Sequence, residues 1–561
     1  MKKMKQKPIW QSVVIGLVIS TLITLGFDYL FPSPWNIHAG GTWFKLFFVL
    51  LIYCIINAIM VFTSVGKYES KRYGTLINLP FVLPAIMIPA FFICLILGAE
   101  IFNAEKYANI IQVEQVETGE AILSEKDAGS IALMDTSSAK QLGDREIGAI
   151  ENFSAFNVSD EYIQLNIKED AVKVAPLEYI GLFKWMSNRN EGVTGYVSVS
   201  PTTMTADYVK LEEGMKYIPS AYFNEDLNRH LHYQFPTLIY GNIHFEIDEN
   251  GKPYYVSSVF DKTIGVFGGE IVIGAIITDP VTGDSEYYEV ADIPQWVDYV
   301  FPGDLICNLY DVAYKNVNGF WNGTSFGANT GCMQTTKINN TYEDEEGEVY
   351  SEAGSDYGYI AKDGDIYVYT GVTSMAADSS NLGFIMVNER TGQYKYFAVS
   401  SANEQSAMNA AQGEVQQYGY VASFPTLINV DNELAYIGVL KDKSGLVKMY
   451  YMVNVKDYGK VVVADTRETC VARYAEKLGL NVNEDIIGNV PEEQPDIESI
   501  PVEFVISIIQ YVDIDGNTYV YMGTEDGTVY KALFKDNEKL LFAKIGDTIK
   551  GSVTNGLLIV E

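Results

Sequence analysis

The stretch Asn78–Phe102 constrains this chain more than any other, because it is apolar and free of charge until its last few residues. It is long enough to cross the hydrocarbon core of a bilayer, which takes about 20 residues of helix. Two earlier stretches are also apolar, apart from Asp28 in the first and Lys45 in the second. The sequence therefore predicts a membrane anchor over residues 1–103, with three transmembrane helices at about 11–31, 43–63 and 78–102.

The distribution of lysine and arginine predicts the orientation of these spans. Lysines crowd the N-terminus, and Lys67, Lys71 and Arg72 lie between the second and third spans, whereas Pro32–Thr42 carries neither residue type. Because cytoplasmic loops are enriched in positive charge, we expect a cytoplasmic N-terminus and an extracellular region from about Asn103 onward. The first span is too long for the apolar core of a typical signal peptide, so we expect it to be retained.

The region after the spans is strongly acidic. The whole chain has a formal net charge of −33, and the first 103 residues carry 8 basic and 3 acidic side chains, which leaves −38 for residues 104–561. Phosphate binding needs a positive surface. The charge therefore excludes nucleic acid as a partner and argues against docking of this region on anionic lipid.

One pattern recurs in the middle of the chain. Gly195–Tyr208 aligns without gaps on Gly274–Tyr287 and on Gly383–Tyr396, and Ala435–Tyr450 is a looser fourth copy. Each copy is a β-rich run, a turn and a second run, and turns such as Asp279–Gly283 suit hairpin loops in which glycine supplies a positive φ. The alignment predicts repeated antiparallel hairpins.

A second string, Phe-Pro-Thr-Leu-Ile, occurs at residues 235–239 and 424–428. Short helix signals follow some of the hairpins. Antiparallel sheets with helices laid on one face bury such elements economically. We therefore predict repeated α+β hairpin modules over residues 191–480, arising by duplication of one unit.

The flanking regions differ from this pattern. Residues 104–190 predict a membrane-proximal α+β segment, and residues 481–500 predict an acidic linker. Residues 501–561 hold five short β-rich runs with tight turns, including one at 540–542, which predicts a small SH3-like or OB-like β-barrel. The predicted fold is thus a three-helix transmembrane region followed by α+β domains.

The hairpin strings resemble a known family. Asp279–Gly283 and Tyr287–Val290 resemble the PepSY-type module, a small α+β unit of exported and membrane-anchored bacterial proteins. Phe424–Ile428 and Gly445–Val455 are similar to segments of large uncharacterised membrane proteins of Gram-positive bacteria. The resemblance covers about residues 190–480. It implies an exterior location and a role in binding peptides or restraining another envelope protein, and it brings no catalytic residues.

Three histidines lie near acidic residues. A strand carrying His230 and His232 would place both imidazoles on one face, and His244 with Glu246 across a hairpin would then offer a metal site. The spacing matches no established metal motif, so we prefer surface or structural histidines. We assign no metal, cofactor or catalytic residues, since hydroxyls such as those of Ser200 and Thr203 have no recognisable base partner in the sequence.

Two further features leave alternatives open. Cys307 and Cys332 could form a disulfide in an oxidising exterior. Asp513–Asn517 imitates the start of a calcium loop, but Thr524 stands where a bidentate glutamate is required, so a hairpin turn is preferred. The acidic loop Glu343–Glu348 is interpreted as solvated, with weak calcium binding as the alternative.

The predicted function is a non-enzymatic, membrane-anchored binding, sensing or scaffolding protein of the bacterial cell envelope. It would be a multi-pass protein of the cell membrane with a possible protein or peptide partner outside. The alternatives are an envelope hydrolase whose site is assembled from sequence-distant residues, and an accessory subunit of a transporter or signalling complex. A buried carboxylate or histidine cluster in a deep pocket would favour the hydrolase, and an exposed edge strand or tyrosine-lined groove would favour a binder.

Overall fold

The computed structural model describes residues 9–69, 78–117, 123–124, 134, 136–146, 153–168, 170–201, 203–338, 340–343, 349–352, 356–431, 433–443, 445–480, 500–514, 517–525, 527–534, 537–554 and 557–560. The chain divides into two compact units, Met1–Ile486 and Ile487–Glu561, which are described separately. The N-terminal lysines, part of the loop between the second and third spans, the acidic linker up to residue 499, residues 344–348 of the acidic loop and residues 515–516 of the 513–517 turn lie outside the described residues.

Three helices near the N-terminus are long and apolar enough to cross a membrane, at Val13–Leu30, Gly40–Thr63 and Leu79–Gly98. The helices that contain them are α1 (Ile9–Leu30), α2 (Gly40–Glu69) and α3 (Val82–Gly98). This confirms the prediction of three apolar helices of membrane-spanning length. Pro80 lies in a short 3-10 turn just before α3, where the missing N–H removes no helical hydrogen bond.

The rest of the first unit is rich in β-strands with short helices between them. The helices are α4 (Glu100–Ala108), α5 (Thr136–Glu146), α6 (Leu182–Asn188), α7 (Leu227–Gln234), α8 (Gly303–Lys315), α9 (Glu404–Glu414) and α10 (Arg467–Leu478). The strands are β1 (Val113–Gln115), β2 (Leu123–Ser124), β3 (Phe156–Val158), β4 (Ile163–Ile167), β5 (Asp170–Tyr179), β6 (Val193–Ser200), β7 (Thr205–Met215), β8 (Ile239–Ile247), β9 (Pro253–Ile264), β10 (Gly268–Thr278), β11 (Ser285–Glu289), β12 (Met333–Thr335), β13 (Asn340–Glu343), β14 (Val349–Glu352), β15 (Gly358–Lys362), β16 (Asp365–Ser374), β17 (Ala377–Asn388), β18 (Tyr394–Phe397), β19 (Ser401–Ala402), β20 (Val421–Ala422), β21 (Thr426–Val430), β22 (Glu433–Lys441), β23 (Val447–Asn454) and β24 (Val461–Ala464).

Most of these strands belong to antiparallel meanders. The meanders are β4 to β7, β8 to β11, β15 to β18 and β21 to β24. The helices α5, α7, α8 and α9 precede them in the chain, in that order. Parallel pairing joins β1 to β18 and β2 to β21, so the segment that follows the spans adds a strand to two of the sheets.

A glycine–tyrosine contact recurs in three of the hairpins. In each, the tyrosine lies opposite the residue two positions after the glycine, and a Cβ on the glycine would come within 3 Å of the tyrosine side chain. The pairs are Gly195 with Tyr208, Gly274 with Tyr287 and Gly383 with Tyr396. A larger residue has no room beneath the ring, which explains glycine within these strands. In the looser fourth copy Tyr451 lies directly opposite Gly438. Descent from one module stays a prediction.

The turns of these hairpins also share a geometry. Asp279 and Asn388 each accept a hydrogen bond on the side chain from the backbone N–H two residues later, at 2.8 Å and 2.9 Å. Four residues after each, Gly283 and Gly392 have positive φ angles of 83° and 68°. Asx turns of this kind stabilise the loop locally and require a residue that tolerates φ > 0.

A buried charged cluster joins the first two spans to the β-rich region. Lys45 is 1% exposed. Its ammonium group donates to the carboxylate of Asp28 and, at 2.7 Å, to the carbonyl of Ser33. His232 of α7 lies 3.1 Å from the other oxygen of Asp28 through Nε2. This cluster links α1, α2 and α7, because each of its three side chains comes from a different element.

Two more contacts fasten the β-rich region to the spans. Glu100, just after α3, accepts hydrogen bonds from Lys315 and Asn316 at 3.0 Å each. The tip of the β9–β10 hairpin carries Phe267, whose ring centroid lies 5.9 Å from that of Trp43 and 5.0 Å from that of Phe91. The contacts of Glu100 and Phe267, together with the charged cluster, therefore hold the β-rich region at the same end of all three spans.

The second unit contains two three-stranded antiparallel sheets, β25–β29–β30 and β26–β27–β28. Their strands are β25 (Ile500–Val505), β26 (Ile508–Ile514), β27 (Asn517–Gly523), β28 (Val529–Leu533), β29 (Thr548–Thr554) and β30 (Leu557–Val560). Phe504, Met522 and Leu558 pack in its core. The strand predicted at 540–542 is wrong, because Glu538–Phe542 forms a 3-10 helix that buries Leu540. An SH3-like or OB-like barrel stays a prediction.

Cys307 and Cys332 are both free and buried in the structure. Cys307 lies on α8 within a cluster that raises its thiol pKa, chiefly through burial and then through Asp311. Cys332 instead contacts Asn322, whose side-chain nitrogen lies 3.0 Å from its sulfur. The disulfide alternative is therefore not realised here.

Candidate functional site

The histidines singled out in the sequence do not converge. His230 and His232 lie on helix α7 and not on a strand, because Asp226 caps the helix by accepting the N–H of Arg229 at 2.8 Å, while Leu227 buries its side chain against the core. His232 turns towards Asp28 of the spans, and the ring of His230 lies 2.6 Å from the carbonyl of Gly283. Among the described residues, no group of three or more His, Cys, Asp and Glu side chains is arranged to hold a metal.

His244 and Glu246 do come together, since alternate residues of strand β8 share a face. His244 Nε2 lies 2.8 Å from Glu246 Oε1, and Nδ1 lies 2.6 Å from the carbonyl of Asn242. A backbone carbonyl only accepts, so Nδ1 carries a proton. The proton on the Nε2–Oε1 line then resides on one partner or the other, and the buried pair is electrically neutral overall.

Glu246 also positions the segment that carries a second buried acid. Its two oxygens accept the backbone N–H groups of Asp298 at 2.9 Å and Tyr299 at 3.2 Å. The carboxylate of Asp298 in turn accepts the N–H of Asn166, on strand β4, at 2.6 Å. These hydrogen bonds tie β4, β8 and the segment before α8 together through carboxylates that are almost completely buried.

A third buried acid, Glu389, follows strand β17. Its backbone carbonyl accepts the N–H groups of Val300 and Phe301 at 3.0 Å and 2.7 Å, so it is held beside the Asp298 segment. Its side chain is 1% exposed, and neither carboxylate oxygen has a hydrogen-bond partner among the described residues. A buried unpaired polar group costs about 1–3 kcal/mol and more when charged. This carboxyl is therefore far more stable protonated than ionised.

Electrostatic interactions with the neighbouring buried acids also favour the protonated form of Glu389. Burial raises the pKa of Glu389 well above its usual range, and Asp298 and Glu246 add to the rise, while Lys173 opposes it. Burial and then Glu246 likewise raise the pKa of Asp298 well above its usual range. We call Glu246, Asp298 and Glu389 the buried acid cluster; within it, Asp298 and Glu389 retain their protons at a pH where exposed carboxyls have lost theirs.

A polar cavity of about 560 Å³ lies beside this cluster, and His244 forms part of its wall. The same wall carries three acids, Asp160, Glu161 and Glu178, and the described lining residues include no lysine or arginine. Its size falls within the range of small-ligand pockets, about 300–1,000 Å³. A cavity lined by one sign of charge concentrates ligands of the opposite sign.

Sequence analysis found part of this site and missed the rest. It singled out His244 and Glu246 for a different reason, and it overlooked Asp298 and Glu389. The available signal was position, since Asp298 lies between apolar Val297 and Tyr299, and Glu389 directly follows an apolar strand. An acid within an apolar segment indicates a buried carboxyl with a structural or functional role.

Comparison with known proteins adds little to this geometry. No family model matches the chain, and no curated protein matches it. Among solved structures, a crystal structure of an ACO/RPE65 chimera is similar with a TM-score of 0.16 and 7% sequence identity, over 55% of this chain and 61% of that chain. A TM-score that low supports neither a shared fold nor a shared activity. The fold and the site together describe a helix-anchored, β-rich protein with an acidic cavity.

Proposed function

We propose that this chain is a membrane-anchored binding protein of the bacterial cell envelope, and that its cavity takes a cationic peptide segment. The observation that carries the proposal is the cavity wall, which presents Asp160, Glu161 and Glu178 without a lysine or arginine among the described lining residues. Asp160 is already paired with Lys140 at 2.6 Å, so an ammonium or guanidinium group on the ligand would pair with Glu161 and Glu178.

The placement of this region outside the cell rests on the loop charges. The N-terminal lysines and Lys67, Lys71 and Arg72 favour a cytoplasmic side for the ends opposite the β-rich region. The recurring glycine–tyrosine contacts support repeated α+β modules of the PepSY-like kind, and the two small sheets of the second unit support a small barrel. An exterior location and a peptide ligand are what that resemblance implies.

Binding is favoured over hydrolysis by the state of His244. A general base needs a free lone pair aimed at the substrate. Both ring nitrogens of His244 already lie against oxygens of Asn242 and Glu246, so neither has a lone pair directed at a bound molecule. The buried acid cluster behind it then serves to fix the cavity wall and to set its charge.

Titration calorimetry on the full-length protein in detergent tests the proposal with trilysine as the probe and triglutamate as the charge-reversed control. We expect trilysine to bind and triglutamate not to bind. Glu178→Gln, which removes one carboxylate from the wall, should weaken trilysine binding about tenfold, the value of one charge-assisted hydrogen bond. Asp207→Asn, an exposed acid outside the lining, is the matched control. Equal binding by Glu178→Gln and the unmodified protein would contradict the proposal.

A further inference from the structure

Two groups of exposed apolar side chains stand out on the β-rich region. The first, which we call the α6 patch, comprises Ile180, Phe183, Met186 and Phe223, whose exposed fractions are 45%, 81%, 56% and 55%. The three-residue spacing of Phe183 and Met186 places them on one side of α6, and Ile180 lies just before the helix, while Trp185 on the other side is buried. Phe223 lies next to α6, because its ring centroid is 5.7 Å from that of Trp185.

The α6 patch is fastened to the end of the first span. Arg229 donates to the carbonyl of Phe223 and, at 2.8 Å, to the carbonyl of Tyr29, and its guanidinium lies 4.5 Å from the centroid of the Tyr29 ring. The hydroxyl of Tyr29 donates to the side chain of Asn224 at 3.0 Å. Tyr29 is the penultimate residue of α1. The patch is therefore adjacent to the point where the first span ends.

The second group, which we call the 317–326 patch, lies beside the end of the third span. It comprises Val317, Trp321 and Phe326, with exposed fractions of 45%, 64% and 95%. It begins immediately after Lys315 and Asn316, the two residues that hold Glu100 at the start of α4. The two patches are thus attached to the ends of different spans on the same side.

Local charge separates both patches from the acidic region around them. Residues 316–336 contain no charged side chain. Residues 179–190 contain Lys184 and Arg189 but no acid, and Arg189 pairs with Glu225 beside Phe223 at 2.5 Å. Apolar patches this exposed mark interaction surfaces. Aromatic rings on a charge-free loop and on an amphipathic helix with basic side chains suit the boundary between lipid and water.

We propose that the α6 patch and the 317–326 patch rest in the headgroup layer of the membrane that the spans cross. Continuity with the spans identifies the occupant, because each patch directly follows contacts to a span end. The β-rich region is then held against the membrane at two places besides the helices themselves. At these two segments the proposal departs from the expectation that the acidity of the region argues against docking on anionic lipid.

Depth-dependent fluorescence quenching tests this proposal on the full-length protein in phosphatidylcholine nanodiscs. An environment-sensitive dye is attached through Phe183→Cys or Phe326→Cys, and the unsubstituted protein reports labelling of its own cysteines. Tyr458→Cys is the matched control, since Tyr458 is 58% exposed on the β23–β24 turn. Among the backbone-to-backbone hydrogen bonds of the described residues, none joins its sheet to the spans.

We expect dyes at 183 and 326 to be quenched by nitroxide-labelled lipid at least threefold more than the dye at 458, and to be shielded from aqueous iodide. If either dye responds to both quenchers as the control does, the proposal is overturned. Shielding from iodide without quenching by lipid would mean that protein covers the patch, which also overturns it. Neither outcome depends on whether the cavity binds a cationic peptide.

Discussion

The backbone N–H of Asp298 donates to the carboxylate of Glu246 at 2.9 Å, so one buried acid holds another in place. Burial together with Glu246 raises the pKa of Asp298 well above its usual range. Burial and the nearby Asp298 and Glu246 likewise raise the pKa of Glu389. The first two predictions follow from this arrangement.

Stability should fall as the pH rises above the ordinary carboxyl range. In the folded state Glu389 keeps its proton to a higher pH than in the unfolded chain, because its folded pKa is raised. The folded state therefore binds more protons between the two pKa values, and each such group lowers the free energy of unfolding by about 1.4 kcal/mol per pH unit there. Glu389→Gln, which mimics the protonated acid, should have a higher melting temperature than the unmodified protein at pH 8, and the difference should shrink towards pH 4.

Thermal melts of the detergent-solubilised protein across this pH range give the answer. Glu289→Gln serves as the control, because Glu289 is exposed on strand β11. A Glu389→Gln variant that melts below the unmodified protein at pH 8 would show that the ionised form of Glu389 is the stabilising one.

Loss of the Glu246 side chain should be strongly destabilising. Glu246→Ala removes the acceptor for His244, Asp298 and Tyr299 at once, and we expect a loss of about 3–5 kcal/mol, as for other buried charge partners. Glu246→Gln keeps the side-chain volume, an oxygen for the N–H of Asp298 and an N–H for His244, but it turns a donor towards the N–H of Tyr299, so its loss should be about 1–3 kcal/mol. Chemical denaturation compares the two. Equal losses would contradict this account, because the isosteric glutamine would then preserve none of the interactions that make Glu246 stabilising.

The charged cluster between spans and β-rich region should behave as a coupled unit. Asp28→Asn leaves Lys45 buried without its counter-charge, and Lys45→Met leaves Asp28 in the same state, so each should cost about 3–5 kcal/mol. The double variant should be less unstable than the sum of the two by at least about 1 kcal/mol. A double-mutant cycle on melting temperature measures this coupling. Strict additivity would mean that the two side chains act independently.

Steric demand at the recurring glycines can be measured at Gly383. A Cβ there would lie 2.5 Å from the carbonyl oxygen of Phe397 and from the hydroxyl of Tyr396. Gly383→Ala should therefore destabilise the protein by about 1–3 kcal/mol through overpacking. The matched control is Gly413→Ala in helix α9, where nothing lies within 4 Å of the added Cβ and the helix propensity of alanine should give a small gain. A Gly383→Ala variant as stable as the control would remove the steric explanation.

The sequence predicted those features that local chemistry determines. The three apolar helices follow from uninterrupted apolar length, and no packing partner is needed to recognise them. The error at His230 and His232 arose because a two-residue spacing suits a strand, whereas the cap at Asp226 and the buried Leu227 and Leu231 define a helix. Side-chain capping is also a local feature, so the sequence contained the helix signal at Asp226. The two-residue spacing of the histidines was given more weight.

Beyond His244 and Glu246, the arrangement of the candidate site could not be predicted, because its residues meet only through the packing of separate sheets. Asn166, Glu246 and Asp298 are far apart in sequence and are joined by side-chain to backbone hydrogen bonds. Such contacts leave no periodic pattern. The exposed apolar residues that form the α6 patch were similarly indistinguishable in sequence from core residues, since Phe183 is exposed and Trp185 is buried only two positions away.

Exposure of the β-rich region to the cell exterior is the central claim, and protease treatment of intact cells tests it most directly. Tags are placed at Met1 and Glu561 of the full-length protein. The account predicts that external protease removes the C-terminal tag while the N-terminal tag stays protected until the cells are permeabilised. Protection of the C-terminal tag in intact cells, with loss only after permeabilisation, would contradict it and place the acidic cavity in the cytoplasm.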